Sequence, residues 1–189
     1  MKNDYYLAAM PIVAPSLLSA NFLNLQADCD LLNKSEADWY HLDVMDGNFV
    51  PNISFGPMLI QFFRKATSKT CDVHLMIEKP ERYLTQFKHA GANLITVHFE
   101  ACTHIHRTIQ EIKSLGCQVG VAINPGTPIT VLNEIIQLVD LVLTSVEAFL
   151  PFSTLYIVVE GECVDTIFFK PIAVILLSST KRIFIYYNN

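Results

Sequence analysis

Two apolar segments of the sequence carry imidazole and carboxylate side chains at alternate positions. The first segment, residues 39–51, reads WYHLDVMDGNFVP and contains His41 and Asp43, and the second, residues 71–78, reads CDVHLMIE and contains His74. Alternate side chains of a β-strand leave from one face, so His41 and Asp43 would project side by side just before a loop. Two imidazoles and one carboxylate at neighbouring strand ends make a partial site for a divalent metal such as zinc, iron or manganese.

Each of these side chains also has a structural interpretation. A single strand histidine is commonly a hydrogen-bonded core residue, and Asp43 is either a metal ligand or a strand-end residue that binds backbone amides. Met45 and Met76 lie on the same strand faces as the histidines, as does Asp72. Apolar packing is the ordinary role of such methionines. Beside an aspartate, their thioethers would also lower the local polarity and raise the basicity of the carboxylate. The repeat of the pattern on two segments raises the metal site to equal standing with the structural interpretation, and the pattern alone does not choose between them.

Further polar residues follow other apolar segments. Ser16 would either hydrogen-bond a substrate or belong to an ordinary loop, His98 and Asn124 end two later segments, and Glu100 would add a polar contact near His98. The remaining polar candidates have structural explanations, namely turn formation for Asp46, Gly47, Asn48 and Asn52 and solvent exposure on helices for His89, His104 and His106.

Composition restricts the class of protein. A chain of 189 residues that is 51% hydrophobic and 16% charged predicts one globular domain with well-covered strands. A net charge of −5 without a Lys/Arg cluster argues against a nucleic-acid surface. Five scattered cysteines without a CxxC motif predict a reduced, cytoplasmic chain. Residues 1–20 loosely resemble a signal peptide, but Asp4 and two prolines interrupt them, and no apolar run approaches the ~18 residues of a membrane helix.

Strand and helix patterns alternate along the first three quarters of the chain. Strands are expected to start near residues 12, 39, 71, 93, 118 and 141, with helices between them, the last one capped by Thr127 and started by Pro128. This alternation predicts βα units and a parallel sheet. A barrel and an open doubly wound sheet both fit it. The polar strand ends favour a TIM (β/α) barrel, whose chemistry collects at the carboxyl ends of the strands.

The pattern changes after residue 145. Residues 146–189 contain one glycine, no histidine and four β-rich stretches at 155–159, 166–169, 172–177 and 183–187. Because eight βα units need about 200 residues or more, we expect residues 1–145 to form six units of the barrel. Residues 146–189 are then an atypical β-rich tail, such as a frameshifted or truncated end of the barrel.

Five segments together resemble the ribulose-phosphate 3-epimerase family. They are APSLLSANF (14–22), WYHLDVMDGNFVPNISFGP (39–57), CDVHLMIEKPERY (71–83), ITVHFEA (95–101) and GVAINPGTP (120–128), in the order found in that family. The resemblance implies a metal-dependent TIM-barrel isomerase of the pentose phosphate pathway that converts D-ribulose 5-phosphate to D-xylulose 5-phosphate. The substrate expected from it is a small phosphorylated ketose. Together with the composition, this predicts a cytoplasmic enzyme without nucleic acid or membrane partners, for which a homo-oligomer is one of the possible states.

The resemblance assigns roles to individual residues. Asp43 would be one acid/base and a metal ligand, His41 and His74 would be ligands, and Ser16 and His74 would contact the substrate. A divalent metal on the ketone and hydroxyl oxygens would stabilise the enediolate formed when the C3 proton leaves. One carboxylate would take that proton and a second, on the opposite face, would return one.

The tail departs from the family pattern. The family supplies the second carboxylate and a fourth ligand from a VDGG-like segment of strand seven, whereas Asp165 lies in VDT and receives no role. The glycine-rich phosphate loops after strands six to eight are missing, with TSVEAFLPF where the family reads MSVNPGFGGQ. The alternatives are therefore a non-catalytic remnant of the enzyme or an epimerase of another ketose phosphate, with a metal hydrolase as a more distant third.

Overall fold

The fold alternates strands and helices around a single sheet. A computed structural model describes residues 12–146, 155–159 and 183–187. The strands are β1 (Ile12–Val13), β2 (Trp39–Met45), β3 (Thr70–Met76), β4 (Leu94–His98), β5 (Gln118–Ile123), β6 (Leu141–Val146), β7 (Leu155–Val159) and β8 (Ile183–Tyr187). The α-helices are α1 (Leu25–Lys34), α2 (Pro57–Ala66), α3 (Leu84–Ala90) and α4 (Ile105–Ser114). Short 3-10 turns lie at Leu17–Ser19, Pro80–Arg82, Phe99–Ala101, Ile129–Leu132 and Ile136–Leu138.

The eight strands of the described residues form one sheet whose two ends meet. The order is β1-β8-β7-β6-β5-β4-β3-β2, and β2 to β6 are parallel. A parallel bridge between Ser16 and His41 joins the β1 end to β2. The backbone N–H of His41 donates to the Pro15 carbonyl at 3.0 Å, which strengthens that junction. The sheet therefore closes into the barrel that the polar strand ends predicted, and the open sheet that also fits the alternation is not formed.

Alternation along each strand divides the buried residues into two layers. On β2, Tyr40, Leu42 and Val44 belong to the large apolar core between the sheet and the helices. The intervening side chains of His41 and Asp43 are also buried and point to the opposite, inner face. A smaller apolar cluster on the inner face comprises Ile12, Ala14, Leu94, Ala122, Leu141 and Leu143. Polar side chains thus share the interior of the barrel with a layer of aliphatic ones.

Several helix boundaries follow from local sequence signals. Pro57 occupies the first turn of α2, where its missing N–H costs no hydrogen bond. Gly91 ends α3 with a φ of 111°, in the left-handed region that favours glycine. The next strand can therefore start only a few residues later.

The prediction of a helix after Thr127 is wrong. Pro128 has an extended backbone, and the chain forms 3-10 turns at Ile129–Leu132 and Ile136–Leu138 instead. The Thr127 hydroxyl donates to Glu100, so it is not used to cap a helix. The β-branched run that follows Pro128 also has a low helix propensity.

The end of the sheet contains the main departure from an all-parallel barrel. β7 is antiparallel to both β6 and β8, and β8 is parallel to β1. Two of the four β-rich stretches predicted after residue 145 are confirmed as β7 and β8, and the stretches at 166–169 and 172–177 lie outside the described residues. The division into a barrel of residues 1–145 and a tail of residues 146–189 stays a prediction. Within the described ranges, no helix has the length and apolarity needed to cross a bilayer.

Candidate metal and proton-transfer site

The register of β2 and β3 brings the two sequence segments together. Asp43 lies opposite His74, and His41 lies opposite Asp72. Because the strands are parallel and in phase, all four side chains leave from the inner face. Asp43 and His74 lie two residues before the carboxyl ends of β2 and β3, and His41 and Asp72 lie two residues further back. The site therefore depends on strand pairing and requires no long loop to hold these groups.

Asp43 lies at the centre of the site. Its Oδ1 is 2.9 Å from Nε2 of His41 and 3.1 Å from Nδ1 of His74. Its Oδ2 accepts a hydrogen bond from the Ser16 hydroxyl at 2.6 Å. His41, Asp43 and His74 are 0%, 2% and 1% exposed, so these charged and polar groups interact with little solvent screening.

The second ring nitrogen of His41 is held by a buried carboxylate. Nδ1 of His41 is 2.8 Å from Oδ2 of Asp72, and Oδ1 of Asp72 accepts from the Thr96 hydroxyl at 3.2 Å. A carboxylate on one imidazole nitrogen fixes the tautomer and directs the other nitrogen at a ligand. Asp72 therefore aims Nε2 of His41 at Asp43.

The second ring nitrogen of His74 meets another imidazole. Nε2 of His74 is 2.9 Å from Nε2 of His98, and the two rings stack with centroids 5.0 Å apart. Phe49, from the loop after β2, packs against His98 with its ring centroid 4.8 Å away. That loop is anchored by Asp46, whose carboxylate accepts the backbone N–H groups of Asn48, Phe49 and Glu78.

The charges of the central groups follow from these contacts. Burial alone would lower the pKa of His41, but the carboxylates of Asp43 and Asp72 raise it well above its usual range. Burial alone would raise the pKa of Asp43, but His41 and the hydrogen bond from His74 hold it well below its usual range. Burial lowers the pKa of His74, and the nearby His98 and His41 lower it further, against the opposing effect of Asp43. At neutral pH Asp43 is therefore ionised and His74 is neutral.

The cluster has the composition and spacing of a metal site. Ligand atoms from His41, Asp43 and His74 all lie within 4.8 Å of one another. With metal–ligand bonds of about 2.0–2.2 Å, the ligands of a tetrahedral centre lie about 3.3–3.6 Å apart. The distances of 2.9 and 3.1 Å from Asp43 Oδ1 to the two imidazole nitrogens are close to that spacing. The residues therefore fit a divalent cation such as zinc, with Asp72 as the outer partner of one ligand.

The structure brings together all four candidate residues of the sequence, Ser16, His41, Asp43 and His74. Their metal, catalytic and substrate roles stay predictions, and Asp165 lies outside the described residues. Nδ1 of His98 lies 3.5 Å from Glu100 Oε2, which agrees with the expected polar contact. His89, His104 and His106 are exposed, as predicted. His89 and His106 lie on helices, whereas His104 is the N-cap residue just before α4.

Two members of the site received no role from the sequence. The sequence pattern places Asp72 on the same strand face as His74 and places His98 at a strand end, without a role for either. The signal for Asp72 was its place two residues before His74, on the face that meets His41 across β2 and β3. The signal for His98 was weaker, because its contact with His74 depends on the stagger between β3 and β4.

Comparisons with known proteins identify the family of the chain. Residues 12–148 match the model of the ribulose-phosphate 3-epimerase family. The chain is 50% identical over 131 residues to the ribulose-phosphate 3-epimerase of Bacillus subtilis, covering 69% of this chain and 60% of that protein. It is 47% identical over 134 residues to the ribulose-phosphate 3-epimerase of Synechocystis sp., covering 70% and 58%. The chloroplastic enzyme of Arabidopsis thaliana is also 47% identical over 134 residues, covering 70% and 48%.

Solved structures support the fold. A mutant tryptophan synthase alpha-subunit from Pyrococcus furiosus superposes with a TM-score of 0.52 at 14% identity, covering 68% of this chain and 62% of that one. Another mutant of the same subunit gives a TM-score of 0.51, covering 68% and 61%. The fold is that of a TIM barrel, and the chain spans about 60% of the length of the two bacterial relatives. The chain belongs to the ribulose-phosphate 3-epimerase family, a family of isomerases.

Proposed function

We propose that this protein catalyses the metal-dependent epimerisation of D-ribulose 5-phosphate to D-xylulose 5-phosphate, a step of the pentose phosphate pathway. Membership of the family supports the reaction class. The observation that carries the proposal is the position of Asp43, an ionised carboxylate at the end of a barrel strand with two imidazoles within 3.1 Å. This is the chemistry that removal of a proton next to a carbonyl requires.

Asp43 is the acid/base residue in this proposal. Its low pKa keeps it ionised at neutral pH, so that a lone pair is ready for the C3 proton. Ser16 donates to Oδ2 at 2.6 Å, which fixes the orientation of the carboxyl plane. The proton leaves C3 to Asp43, and the bonding electrons move toward the ketone to form an enediolate.

His41, Asp43 and His74 would hold the divalent metal. A bound metal supplies positive charge that stabilises the negative charge developing on the substrate oxygens. Asp72 keeps His41 oriented, while Ser16 and His74 lie beside Asp43, where they contact the substrate in this proposal. The burial of the cluster keeps water away and strengthens these electrostatic interactions.

Inversion at C3 requires a proton on the opposite face of the enediolate. If Asp43 acted without a second acid, it would remove and return a proton on the same face. The C3 hydrogen would then exchange with solvent, and ribulose 5-phosphate would be regenerated. A second acid on the other face would give xylulose 5-phosphate. Exchange and inversion are therefore separate measurements of the two halves of the reaction.

The test incubates the purified full chain with ribulose 5-phosphate and zinc, manganese or ferrous ion in D₂O. Nuclear magnetic resonance then follows deuterium at C3 and the appearance of xylulose 5-phosphate. We expect both, and we expect Asp43→Asn to reduce both by about 10²- to 10⁴-fold. His106→Gln, at an exposed position of α4, is the matched control and should leave both rates unchanged.

The outcomes separate the alternatives. Exchange without inversion would contradict epimerisation and would identify a chain that performs only the first half of the reaction. Neither exchange nor inversion would mean that this chain is not an active enzyme. Faster reaction with a six-carbon ketose phosphate than with the pentose would replace the proposed substrate.

The proposal includes a cytoplasmic homo-oligomer without nucleic acid or membrane partners. Free thiols at the described cysteines, Cys29, Cys71, Cys102 and Cys117, are consistent with a reducing compartment. The apolar side chains of Leu23, Met58 and Phe62 are exposed and would be covered in an oligomer. Light scattering coupled to size-exclusion chromatography measures the mass of the assembly, and a mass equal to one chain would exclude the oligomer.

A further inference from the structure

His74 uses both of its ring nitrogens within the site. Nδ1 lies 3.1 Å from Oδ1 of Asp43, on the side of the ligand cluster, and Nε2 lies 2.9 Å from Nε2 of His98. An imidazole that binds a metal is neutral and carries one proton. That proton must therefore be on Nε2 if Nδ1 is to offer its lone pair to a cation.

The contact between the two imidazoles requires a defined pair of tautomers. At 2.9 Å, one Nε2 must donate a proton and the other must accept it. If His74 donates, His98 accepts on Nε2 and carries its own proton on Nδ1. If His98 donates, Nε2 of His74 is the acceptor, and its proton is on Nδ1, where it blocks the ligand position.

Without a metal, Oδ1 of Asp43 at 3.1 Å favours an N–H on Nδ1 of His74. Once Asp43 and His74 bind a cation, that preference is removed, and Glu100 favours the first arrangement. Nδ1 of His98 is buried, has no hydrogen-bond partner within ordinary distance, and faces Oε2 of Glu100 at 3.5 Å. A carboxylate favours an N–H at that position, because a lone pair there would face negative charge. The proton of His98 is thereby placed on Nδ1, which leaves its Nε2 free to accept from His74.

Glu100 is itself held in position by the loop after β5. Its Oε1 accepts the backbone N–H of Asn124 at 2.8 Å and the hydroxyl of Thr127. These two hydrogen bonds occupy one carboxylate oxygen and turn the other toward His98. Phe49 restrains the His98 ring by packing against it.

We propose that His98 and Glu100 are a positioning pair that holds the proton of His74 on Nε2 and thereby presents the Nδ1 lone pair of His74 to the metal. The pair acts through His74, in the way that Asp72 acts through His41. The inference rests on the proposed metal site and adds to it two residues, from β4 and the turn that follows it.

The first experiment reads the tautomers directly. The full chain is labelled with ¹⁵N-histidine and loaded with zinc, and two-bond ¹⁵N–¹H correlation spectra identify the protonated nitrogen of each ring. We expect His74 to be protonated on Nε2 and His98 on Nδ1. A zinc-bound spectrum with His98 protonated on Nε2, or with His74 coordinating through Nε2, would overturn the proposal.

The second experiment measures the zinc dissociation constant by competition with a chelator dye. His98→Phe keeps an aromatic ring but removes the acceptor, and should raise the dissociation constant by about 10- to 100-fold. His98→Gln returns an acceptor near the position of Nε2 and should recover most of this loss. His106→Gln should bind zinc as the unmodified chain does.

The possible results separate this pair from the proposed function. Unchanged zinc affinity in a folded His98→Phe chain, with circular dichroism as the check on folding, would overturn the pair alone. An unmodified chain that binds no zinc would overturn the metal site and the pair together. A chain with the expected tautomers and affinities but without C3 exchange would retain the pair and lose the enzymatic function.

Discussion

Replacement of Asp72 by asparagine tests whether a buried carboxylate orients His41. Asp72 is fully buried, its Oδ2 is 2.8 Å from Nδ1 of His41, and its Oδ1 accepts from the Thr96 hydroxyl at 3.2 Å. Asparagine has nearly the same shape and keeps an acceptor oxygen for His41. Its amide group can donate to the oxygen of Thr96. The variant should therefore fold while losing the negative charge.

The stability cost follows from the type of hydrogen bond that is changed. A bond with a charged partner contributes about 1.5–3 kcal/mol and a neutral one about 1 kcal/mol. Asp72→Asn should therefore lower the free energy of unfolding by about 0.5–2 kcal/mol. For a chain of this size that corresponds to a fall in Tm of about 1–8 °C. Differential scanning calorimetry in the presence of a chelator measures this change without a contribution from metal.

The effect on metal binding distinguishes orientation from simple stabilisation. Loss of an outer partner of a ligating histidine typically weakens metal affinity by about 10- to 100-fold. Chelator competition with zinc should show this loss for Asp72→Asn. The control is Thr96→Val, which removes the hydroxyl from the other oxygen of Asp72 but leaves the charge, and should change zinc affinity far less. If Asp72→Asn lowers Tm but binds zinc as tightly as the unmodified chain, Asp72 does not orient His41.

Three further substitutions test other contacts. Ser16→Ala removes the 2.6 Å hydrogen bond to Asp43 and should lower the free energy of unfolding by about 1.5–3 kcal/mol, with an unchanged urea midpoint contradicting that contribution. Partial burial would raise the pKa of Glu100, but its hydrogen bonds lower that pKa to about 2. The ionised carboxylate therefore stabilises the fold at pH values above about 4.5, its pKa in the unfolded chain, and this stabilisation is lost as the pH falls toward 2. Because Glu100 remains exposed and solvent screens its charge, Glu100→Gln should be less stable at pH 7 by only about 1 kcal/mol, with a difference that closes between pH 4.5 and 2. A difference independent of pH in urea titrations would disprove the cause. Gly120→Ala would place its Cβ 2.9 Å from a side-chain carbon of β4 and should lower the free energy of unfolding by about 1–3 kcal/mol. The control is Gly126→Ala, whose Cβ would have no atom within 4 Å and which should leave Tm nearly unchanged. Equal Tm values for the two variants would refute the packing argument.

Much of the fold could be predicted from periodicity and turn chemistry. The bounds of β2 and β5 agree with the predicted strands, and α2 begins at Pro57, as its sequence indicates. The metal-ligand cluster was also predictable, because alternation on two parallel strands places His41, Asp43 and His74 on one face.

The rest of the site depends on relations between strands that local sequence does not contain. Asp72 meets His41 only because β2 and β3 pair in the observed register. The Thr127 hydroxyl donates to a carboxylate 27 residues away, which removes it as a helix cap. The antiparallel direction of β7 could not be predicted either, because strand propensity is the same for parallel and antiparallel pairing.

The closure of the barrel has a consequence for the order in which the fold is lost. β8 pairs with β1 only through Ile12 and Val13, and Ile12 lies 172 residues from its partner Phe184. His41 lies 31 residues from Asp72. By polymer statistics, the longer connection costs about 1.5 kcal/mol more to close. The ring should open first between β8 and β1, while β2, β3 and β4 remain paired. The ligand cluster would then survive as a locally folded unit in partly unfolded chains, with slower amide hydrogen exchange than the strand pair that closes the ring.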